Sequence, residues 1–141
     1  MTTRTEPIIS VRNLDKDYGA TRALGGVTLN ILPGQVVGLL GPNGSGKTTL
    51  LKHIVGLLRP TRGHVLTCGS EALELGGEQM AGIGYVSQDS ELVDWLTVGE
   101  TVDLARSHHP TWDPELETKL METFALERGK KVGGLSLGQK Q

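Results

Sequence analysis

The segment Gly41-Pro42-Asn43-Gly44-Ser45-Gly46-Lys47-Thr48-Thr49 constrains this chain more than any other part of it. It contains two glycines separated by four residues, followed by lysine and threonine, which is a general phosphate-binding pattern. The short apolar run before it, Val36 to Leu40, predicts a buried parallel strand. Apolar residues at intervals of three and four predict a helix after it, over Thr48 to Leu58. The segment is therefore expected to join a strand to the N-terminus of a helix.

The residue types in this segment suit a chain of phosphates. Glycines let the backbone approach an anion closely, and a helix N-terminus offers unpaired N–H groups and the positive end of its dipole. Lys47 is expected to place its ammonium on the β- and γ-phosphates, Thr48 to ligate Mg²⁺ through its hydroxyl, and Thr49 to contact the α-phosphate. The alternative is a glycine-rich turn that fits the pattern by chance. With a strand and a helix on either side, the sequence favours a nucleoside triphosphate site.

Three further landmarks lie in a fixed order around this segment. They are Tyr18-Gly19, then Ile83-Gly84-Tyr85-Val86-Ser87-Gln88, and finally Leu135-Ser136-Leu137-Gly138-Gln139-Lys140-Gln141. They resemble, in turn, the adenine-stacking aromatic, the strand leading into the Q-loop and the L-S-G-G-Q signature of the ATP-binding cassette (ABC) family. Because the four motifs stand in the family's order and cover most of the chain, the chain is identified as a member of that family.

The resemblance implies a role for each landmark, and each has a simpler alternative. It implies that Tyr18 stacks on the base, although a lone tyrosine is commonly a half-buried strand residue. It implies that Gln88 ligates Mg²⁺ and the attacking water, so that Lys47 and Gln88 are the catalytic residues; the alternative for Gln88 is a plain loop amide. Ser136, Gly138 and Gln139 are implied to face the γ-phosphate held by an opposing subunit, and Ser136 is also a common type of helix N-cap.

The chain departs from the family pattern at two places. Leu137 replaces the first glycine of the signature, which bears on how tightly two cassettes close. Family members also continue beyond the signature to an apolar strand ending in Asp-Glu and to a switch histidine, and neither occurs before Gln141. The chain is therefore expected to be the N-terminal portion of a cassette, without the carboxylates that orient water and help to hold Mg²⁺.

The resemblance implies an α/β P-loop NTPase fold with a mostly parallel sheet, an N-terminal antiparallel β-subdomain and a helical subdomain that carries the signature. Residues 1–141 are expected to form a single domain truncated at its C-terminal part, with the helical subdomain over about residues 89–141. Short strands are predicted at Ile8 to Val11, Lys16 to Tyr18, Val27 to Ile31 and Gly63 to Thr67, with a turn at Asn13.

Local signals also predict the helices of the second half. Thr97-Val98-Gly99-Glu100 predicts a capping box, and Asp113 followed by Pro114 predicts the start of another helix. Gly129 is expected to end that helix. Its apolar stripe at intervals of four is predicted to be packing rather than a binding surface: Leu116, Leu120 and Phe124.

Composition argues against several function classes. A net charge of −2 with interspersed signs indicates neither a nucleic-acid site nor a polybasic membrane surface. Cys68 is the only cysteine, and no apolar run approaches the roughly 20 residues of a membrane span, so a cytoplasmic location is expected. Asp89, Glu91 and Asp94 are interpreted as a solvated loop rather than a metal cluster. The histidines are expected on the surface or on helix faces: His53, His64, His108 and His109.

With the resemblance, the sequence predicts the ATP-binding and ATP-hydrolysing subunit of a bacterial ABC transporter. Its implied partners are separate transmembrane subunits, contacted by the loop after Gln88 at the cytoplasmic face of the membrane, and a second cassette in a head-to-tail dimer around ATP and Mg²⁺. The segments Pro110 to Pro114 and Lys130 to Val132 are similar to exporter branches, so export is expected. Two alternatives stay open: a nucleotide-binding cassette without turnover, and a cassette protein that acts outside transport.

Overall fold

The computed structural model of the protein describes residues 6–87, 92–109 and 111–140. The chain divides into two compact units, Met1–Gly84 and Tyr85–Gln141. Each unit is described by itself. In the described part of the chain, no helix has the length and apolar character needed to cross a bilayer.

The first unit contains a four-stranded sheet in the order β2-β1-β3-β4. β1 (Ile9–Tyr18) pairs antiparallel with β2 (Thr21–Ile31) through a tight hairpin, in which Tyr18 lies opposite Thr21. β3 (Arg62–Thr67) pairs antiparallel with the other edge of β1, and β4 (Ser70–Glu71) pairs with β3. The antiparallel β-subdomain predicted from the sequence is therefore present.

The predicted turn at Asn13 is wrong, because β1 continues through this residue. Asn13 has a φ of 47°, in the left-handed region that asparagine tolerates better than most residues. The pairing register of β1 with β2 shifts between Val11 and Leu14. An irregularity of this kind bends a strand without ending it.

A single helix covers this sheet after the phosphate-binding segment. α1 (Lys47–Ile54) is shorter than the predicted helix, because Gly56 takes a φ of 76° and allows the chain to turn away. The Gly56 N–H donates a hydrogen bond to the His53 carbonyl, and the Leu57 N–H donates one to the Lys52 carbonyl. This pair of bonds is common where a glycine ends a helix. A short 3₁₀ segment, Ala72–Glu74, and α2 (Gly77–Ala81) complete the unit.

The core lies between α1 and the sheet. It consists of buried apolar residues from α1, the three long strands and the 3₁₀ segment: Val11, Leu14, Leu24, Leu50, Ile54, Val65 and Ala72. His53, expected on the surface or on a helix face, lies on α1 but is buried at 1% exposure, and its Nδ1 donates to the Thr49 carbonyl at 2.7 Å. Its position three residues after the buried Leu50 places it on the core side of α1.

The run Val36 to Leu40, predicted as a buried parallel strand, pairs with no strand among the described residues. Val36 and Leu40 are almost fully exposed. Every strand pairing in the described part is antiparallel, so the parallel part of the expected sheet is not formed there. An apolar run becomes a strand only when a neighbouring strand accepts its hydrogen bonds, and composition alone does not supply that neighbour.

The second unit is helical, and both predicted N-caps are confirmed. Before α3 (Val98–His108), the Glu100 N–H donates to Thr97 Oγ1 at 3.1 Å and the Thr97 N–H donates to Glu100 Oε2 at 2.7 Å. Before α4 (Pro114–Thr123), Asp113 Oδ1 accepts hydrogen bonds from the N–H groups of Glu115 and Leu116. A 3₁₀ segment, Val132–Gly134, and α5 (Leu137–Lys140) follow.

Two predictions about α4 are wrong. The helix ends at Thr123, well before Gly129, and Ala125 takes the left-handed φ of 49° that a glycine was expected to supply. The stripe predicted to pack is about half exposed, with relative exposures of 49%, 44% and 52% for Leu116, Leu120 and Phe124. Within the described part of the second unit, no element covers this face fully.

Ion pairs connect the elements of the second unit instead. Glu117 on α4 accepts hydrogen bonds from Arg106 at 2.6 Å, from Trp112 Nε1 at 2.7 Å and from Arg128 at 2.8 Å. Arg128 also donates to Asp103 on α3 at 2.7 Å. The hydrogen bond from Arg106, followed by that from Trp112, holds the pKa of Glu117 below its ordinary value.

Candidate functional site

The phosphate-binding segment curls around its own lysine. Lys47 Nζ donates hydrogen bonds to the carbonyl oxygens of Gly41, at 2.8 Å, and Pro42, at 2.7 Å. The Ser45 N–H closes a turn onto the Pro42 carbonyl at 3.2 Å. Because an ammonium carries three N–H donors, two bonds to the loop leave one donor for a ligand.

Gly46 joins the segment to α1 in a conformation and a space that suit only glycine. Its φ is 87°, and a Cβ there would lie 2.5 Å from the Ala23 carbonyl oxygen and 2.8 Å from the Leu24 side chain. The segment therefore packs directly against β2. Sequence reasoning did not identify Ala23 or Leu24 as its support, because the contact joins residues more than twenty positions apart.

The start of α1 has the properties of an anion site. The first helical hydrogen bond runs from the Leu50 N–H to the Gly46 carbonyl at 2.8 Å. The N–H groups of Lys47, Thr48 and Thr49 therefore precede the helical ladder, at the positive end of the helix dipole. The first turn of this fully described helix carries no acidic residue. An incoming phosphate would meet N–H donors and an ammonium there, without a competing carboxylate.

Thr48 offers the exposed hydroxyl expected for Mg²⁺, at the second position of α1. Within residues 6–87, 92–109 and 111–140, no three His, Cys, Asp or Glu side chains are grouped to hold a metal. Mg²⁺ at nucleotide sites usually combines phosphate oxygens and waters with one or two protein ligands. A single hydroxyl beside the phosphate position therefore fits an ion that arrives with a nucleotide.

Tyr18 stands at the end of β1, and its side chain is 50% exposed. Its partner Thr21 lies on β2, two residues before the Ala23 carbonyl that abuts Gly46. One hairpin therefore both presents the ring and supports the phosphate-binding segment. Lys16 Nζ lies 5.0 Å from the centre of the Tyr18 ring. Lys16 was not predicted, although two-residue spacing on a strand places both side chains on one face.

The signature residues lie in the second unit and form a compact capped turn. Ser136 Oγ accepts from the Gln139 N–H at 3.3 Å, and Gln139 Oε1 accepts from the Ser136 N–H at 3.2 Å. Gln139 Nε2 also donates to the Phe124 carbonyl at 3.2 Å. A Cβ on Gly138 would meet nothing within 4 Å, and Leu137 is exposed. The N-cap alternative for Ser136 is therefore confirmed, and Gln139 is the second half of its capping box.

The remaining predicted site residues fall partly outside the described structure. Gln88 lies there, together with Asp89 and Glu91. Asp94 is described, and its Oδ1 accepts a hydrogen bond from Lys140 at 2.8 Å. The structure thus places Tyr18 and residues 41–49 in the first unit, linked through β2, and residues 136–139 in the second.

Comparison with known proteins gives one consistent result. The sequence model of the family described as ABC transporter matches residues 24–141. The chain is 33% identical over 150 residues to the ribose import ATP-binding protein RbsA 1 of Streptomyces coelicolor, over 99% of this chain and 30% of that protein. It is 34% identical over 152 residues to the phosphonates import ATP-binding protein PhnC of Alcaligenes faecalis, over 95% and 55%. The chain spans about a third to about half the length of these relatives.

Solved structures agree with the sequence comparison. A structure described as the ATP-binding subunit of an ABC transporter superposes with a TM-score of 0.79 at 29% identity, over 94% of this chain and 57% of the other. The dimeric cassette MJ0796, bound to ADP and Pi in a post-hydrolysis state, gives a TM-score of 0.73 at 30% identity, over 94% and 65%. The predicted P-loop cassette fold is therefore confirmed.

Proposed function

The chain belongs to the ABC transporter family, and we propose that it supplies ATP binding and hydrolysis to a transporter. The observation that carries this proposal is the position of Lys47. Its ammonium is held by two carbonyls inside a loop that opens onto a helix N-terminus, with one N–H donor left over. A triphosphate is the polyanion that this arrangement suits, because its β- and γ-phosphates can meet the ammonium and the N–H groups together.

In this proposal residues 41–49 wrap the triphosphate, and Tyr18 stacks on the base. Thr48 holds Mg²⁺ through its hydroxyl, and the ion neutralises charge on the phosphates. Gln88 serves as the second metal ligand and orients the attacking water; this role rests on the family resemblance, since Gln88 lies outside the described residues.

We further propose that a second cassette closes over the nucleotide. The solved structure of MJ0796 is a dimer bound to ADP and Pi, and the chain shares its fold. The open surface at Gly138 suits close approach to a phosphate, and the Ser136 hydroxyl accepts from the N–H of the next residue, Gln139. Gln139 is assigned a supporting role here, because its side chain is bonded to Ser136 and to the Phe124 carbonyl.

The proposed partners are transmembrane subunits that contact the loop after Gln88 at the cytoplasmic face of the membrane. The two curated relatives above are named for import of ribose and of phosphonates, which gives no support to the export expected from residues 110–114 and 130–132. The proposal is therefore limited to energising transport. The transported substrate is selected elsewhere in the assembly.

The proposal predicts a large loss of ATP binding in Lys47→Ala. Removing one partner of a desolvated charge pair costs about 2 to 5 kcal/mol, which is more than tenfold in affinity. Isothermal titration calorimetry with MgATP measures the loss. The matched control is Lys52→Ala, which removes a lysine from the other end of α1 and should keep the wild-type affinity.

Unchanged ATP affinity in a folded Lys47→Ala chain would contradict the phosphate site. Binding that depends on Lys47, without any ATP turnover in the wild-type chain, would favour the alternative of a nucleotide-binding cassette that does not hydrolyse. Circular dichroism melts of both variants check that the fold is retained.

A further inference from the structure

The ammonium of Lys16 has two fixed neighbours. It lies 5.0 Å from the centre of the Tyr18 ring, within the range of a cation–π interaction, and it donates a hydrogen bond to the Arg59 carbonyl at 2.8 Å. A long exposed lysine usually samples many rotamers. Here one end of the side chain is part of β1 and the other is bonded to a different segment, so its ammonium is held over the ring.

The segment that holds Lys16, residues 59–61, begins five residues after the end of α1. Two further hydrogen bonds tie it to β1: the Thr61 N–H donates to the Asp15 carbonyl at 2.9 Å, and the Asp17 N–H donates to Thr61 Oγ1 at 2.9 Å. Residues 15–17 are therefore bonded to residues 59–61 on both sides of Lys16. The position of the ammonium is thus set by the loop that leads from the phosphate-binding helix to β3.

We propose that Lys16 is a positioning residue for nucleotide binding: it holds the Tyr18 ring from one face so that the opposite face receives the base. The inference rests on the proposed function, in which Tyr18 stacks on the base. Tyr18 is half exposed and sits at a hairpin end, where an unsupported ring would rotate between orientations. A cation against one face of the ring restricts it and leaves the other face for stacking.

A role in base stacking can be separated from a general effect of positive charge. Lys16 held over the ring should strengthen binding of ATP but not of tripolyphosphate, which has no base. A lysine that acts only through long-range attraction should strengthen both by similar factors, because both ligands carry the phosphate charge.

The test compares Lys16→Met, Lys16→Arg, Tyr18→Ala and the double variant Lys16→Met with Tyr18→Ala. Calorimetry gives the affinity of each for MgATP and for magnesium tripolyphosphate. Tyr18→Ala should weaken ATP by about five- to 150-fold, the range of one stacking contact. Lys16→Met should weaken ATP by about two- to fivefold, the range of a cation–π contact at an exposed site, and leave tripolyphosphate unchanged.

Two results beyond the affinities sharpen the test. Lys16→Arg should restore ATP affinity, because a guanidinium can also lie over a ring. The double variant should bind ATP no more weakly than Tyr18→Ala alone, since Lys16 has no ring left to hold. Lys16→Gln, which retains an N–H donor for the Arg59 carbonyl but no charge, replaces Lys16→Met if the latter melts early.

The inference is overturned if a folded Lys16 variant loses ATP and tripolyphosphate equally, or if its loss adds fully to that of Tyr18→Ala. It also fails if Tyr18→Ala weakens ATP and Lys16→Met has no effect. A different outcome, in which Tyr18→Ala leaves ATP affinity unchanged, rejects base stacking in the proposed function itself. The two failures are therefore distinguishable.

Discussion

The first unit buries an apolar cluster contributed by α1, the strands and the 3₁₀ segment, whereas the second unit buries only Val98 and Val132 among its described apolar residues. The second unit is connected instead by side-chain hydrogen bonds and ion pairs around Glu117. Apolar burial depends little on pH or salt near neutrality, while exposed and half-exposed ion pairs are weakened by both. The two units should therefore respond differently to the same change of conditions.

This difference matches the sites that the units carry. Leu50 and Ile54 anchor α1 in the core, so the phosphate-binding segment at its N-terminus rests on a close-packed base. The capped turn at Ser136 belongs to a unit whose contacts are mostly polar. Under the proposed function, a rigid phosphate site and a more adaptable signature turn would suit a nucleotide that is bound by one surface and then covered by another.

The largest expected effect comes from removing a buried apolar side chain from the core of the first unit. Leu14 on β1 is fully buried, and Leu14→Ala should destabilise the first unit by about 2 to 5 kcal/mol through lost burial and a cavity. Hydrogen exchange should speed up mainly in residues 6–84. The control Leu57→Ala removes a leucine of the same unit that is 54% exposed and should change little. Equal effects of the two variants would mean that the cluster does not hold the unit.

A smaller loss of stability is expected when the ion pairs of the second unit are removed in Glu117→Gln. The amide carries no charge to pair with Arg106 and Arg128 and offers one acceptor oxygen in place of two, so hydrogen exchange should speed up mainly in residues 85–140. Because the folded-state pKa of Glu117 is lowered from 4.5, its contribution is present above that value and is lost as the pH falls through the folded pKa.

The wild-type second unit should therefore approach the behaviour of Glu117→Gln in acid, and the difference between them should shrink at high salt. The matched control is Glu115→Gln, since Glu115 lies in the same first turn of α4 but outside this set of ion pairs as described. A pH-independent difference between wild type and Glu117→Gln would show that packing, not charge, explains the effect.

The sequence predictions were accurate where the interacting residues are close together in the chain and failed where they are far apart. The start of α1 after residues 41–46 and the caps at Thr97 and Asp113 were predicted correctly, because each is specified by residues only a few positions apart. The strand at residues 36–40 was wrong, because pairing needs a distant neighbour. The hydrogen bonds of Glu117 to Arg106 and Arg128 each span eleven residues and join different elements, so no local sequence pattern predicts them.

The candidate site divides in the same way. Lys47 and Gly46 stand in a motif with a physical reason for each residue, whereas Ala23, Lys16 and Arg59 enter through contacts between strands and loops. Burial of His53 was not predicted either, although its place three residues after Leu50 on an amphipathic helix indicates the core side. Local chemistry identifies the groups that touch a ligand, and the tertiary fold determines the groups that hold them in place.

The smallest expected effect concerns one local bond at the start of α3. Thr97→Ala removes the hydroxyl that accepts from the Glu100 N–H, and loss of such a cap costs about 1 kcal/mol. Thr97→Ser keeps an oxygen at the same place and should retain most of the stability. Thr118→Ala, which removes a threonine hydroxyl from the exposed middle of α4, is the control for replacing a threonine that caps no helix. Thermal melts with hydrogen exchange of residues 98–108 measure the change. Because only Val98 and Gly99 of this helix are buried, the loss of stability should stay within the second unit. Faster exchange in residues 6–84 would show that the two units do not respond separately.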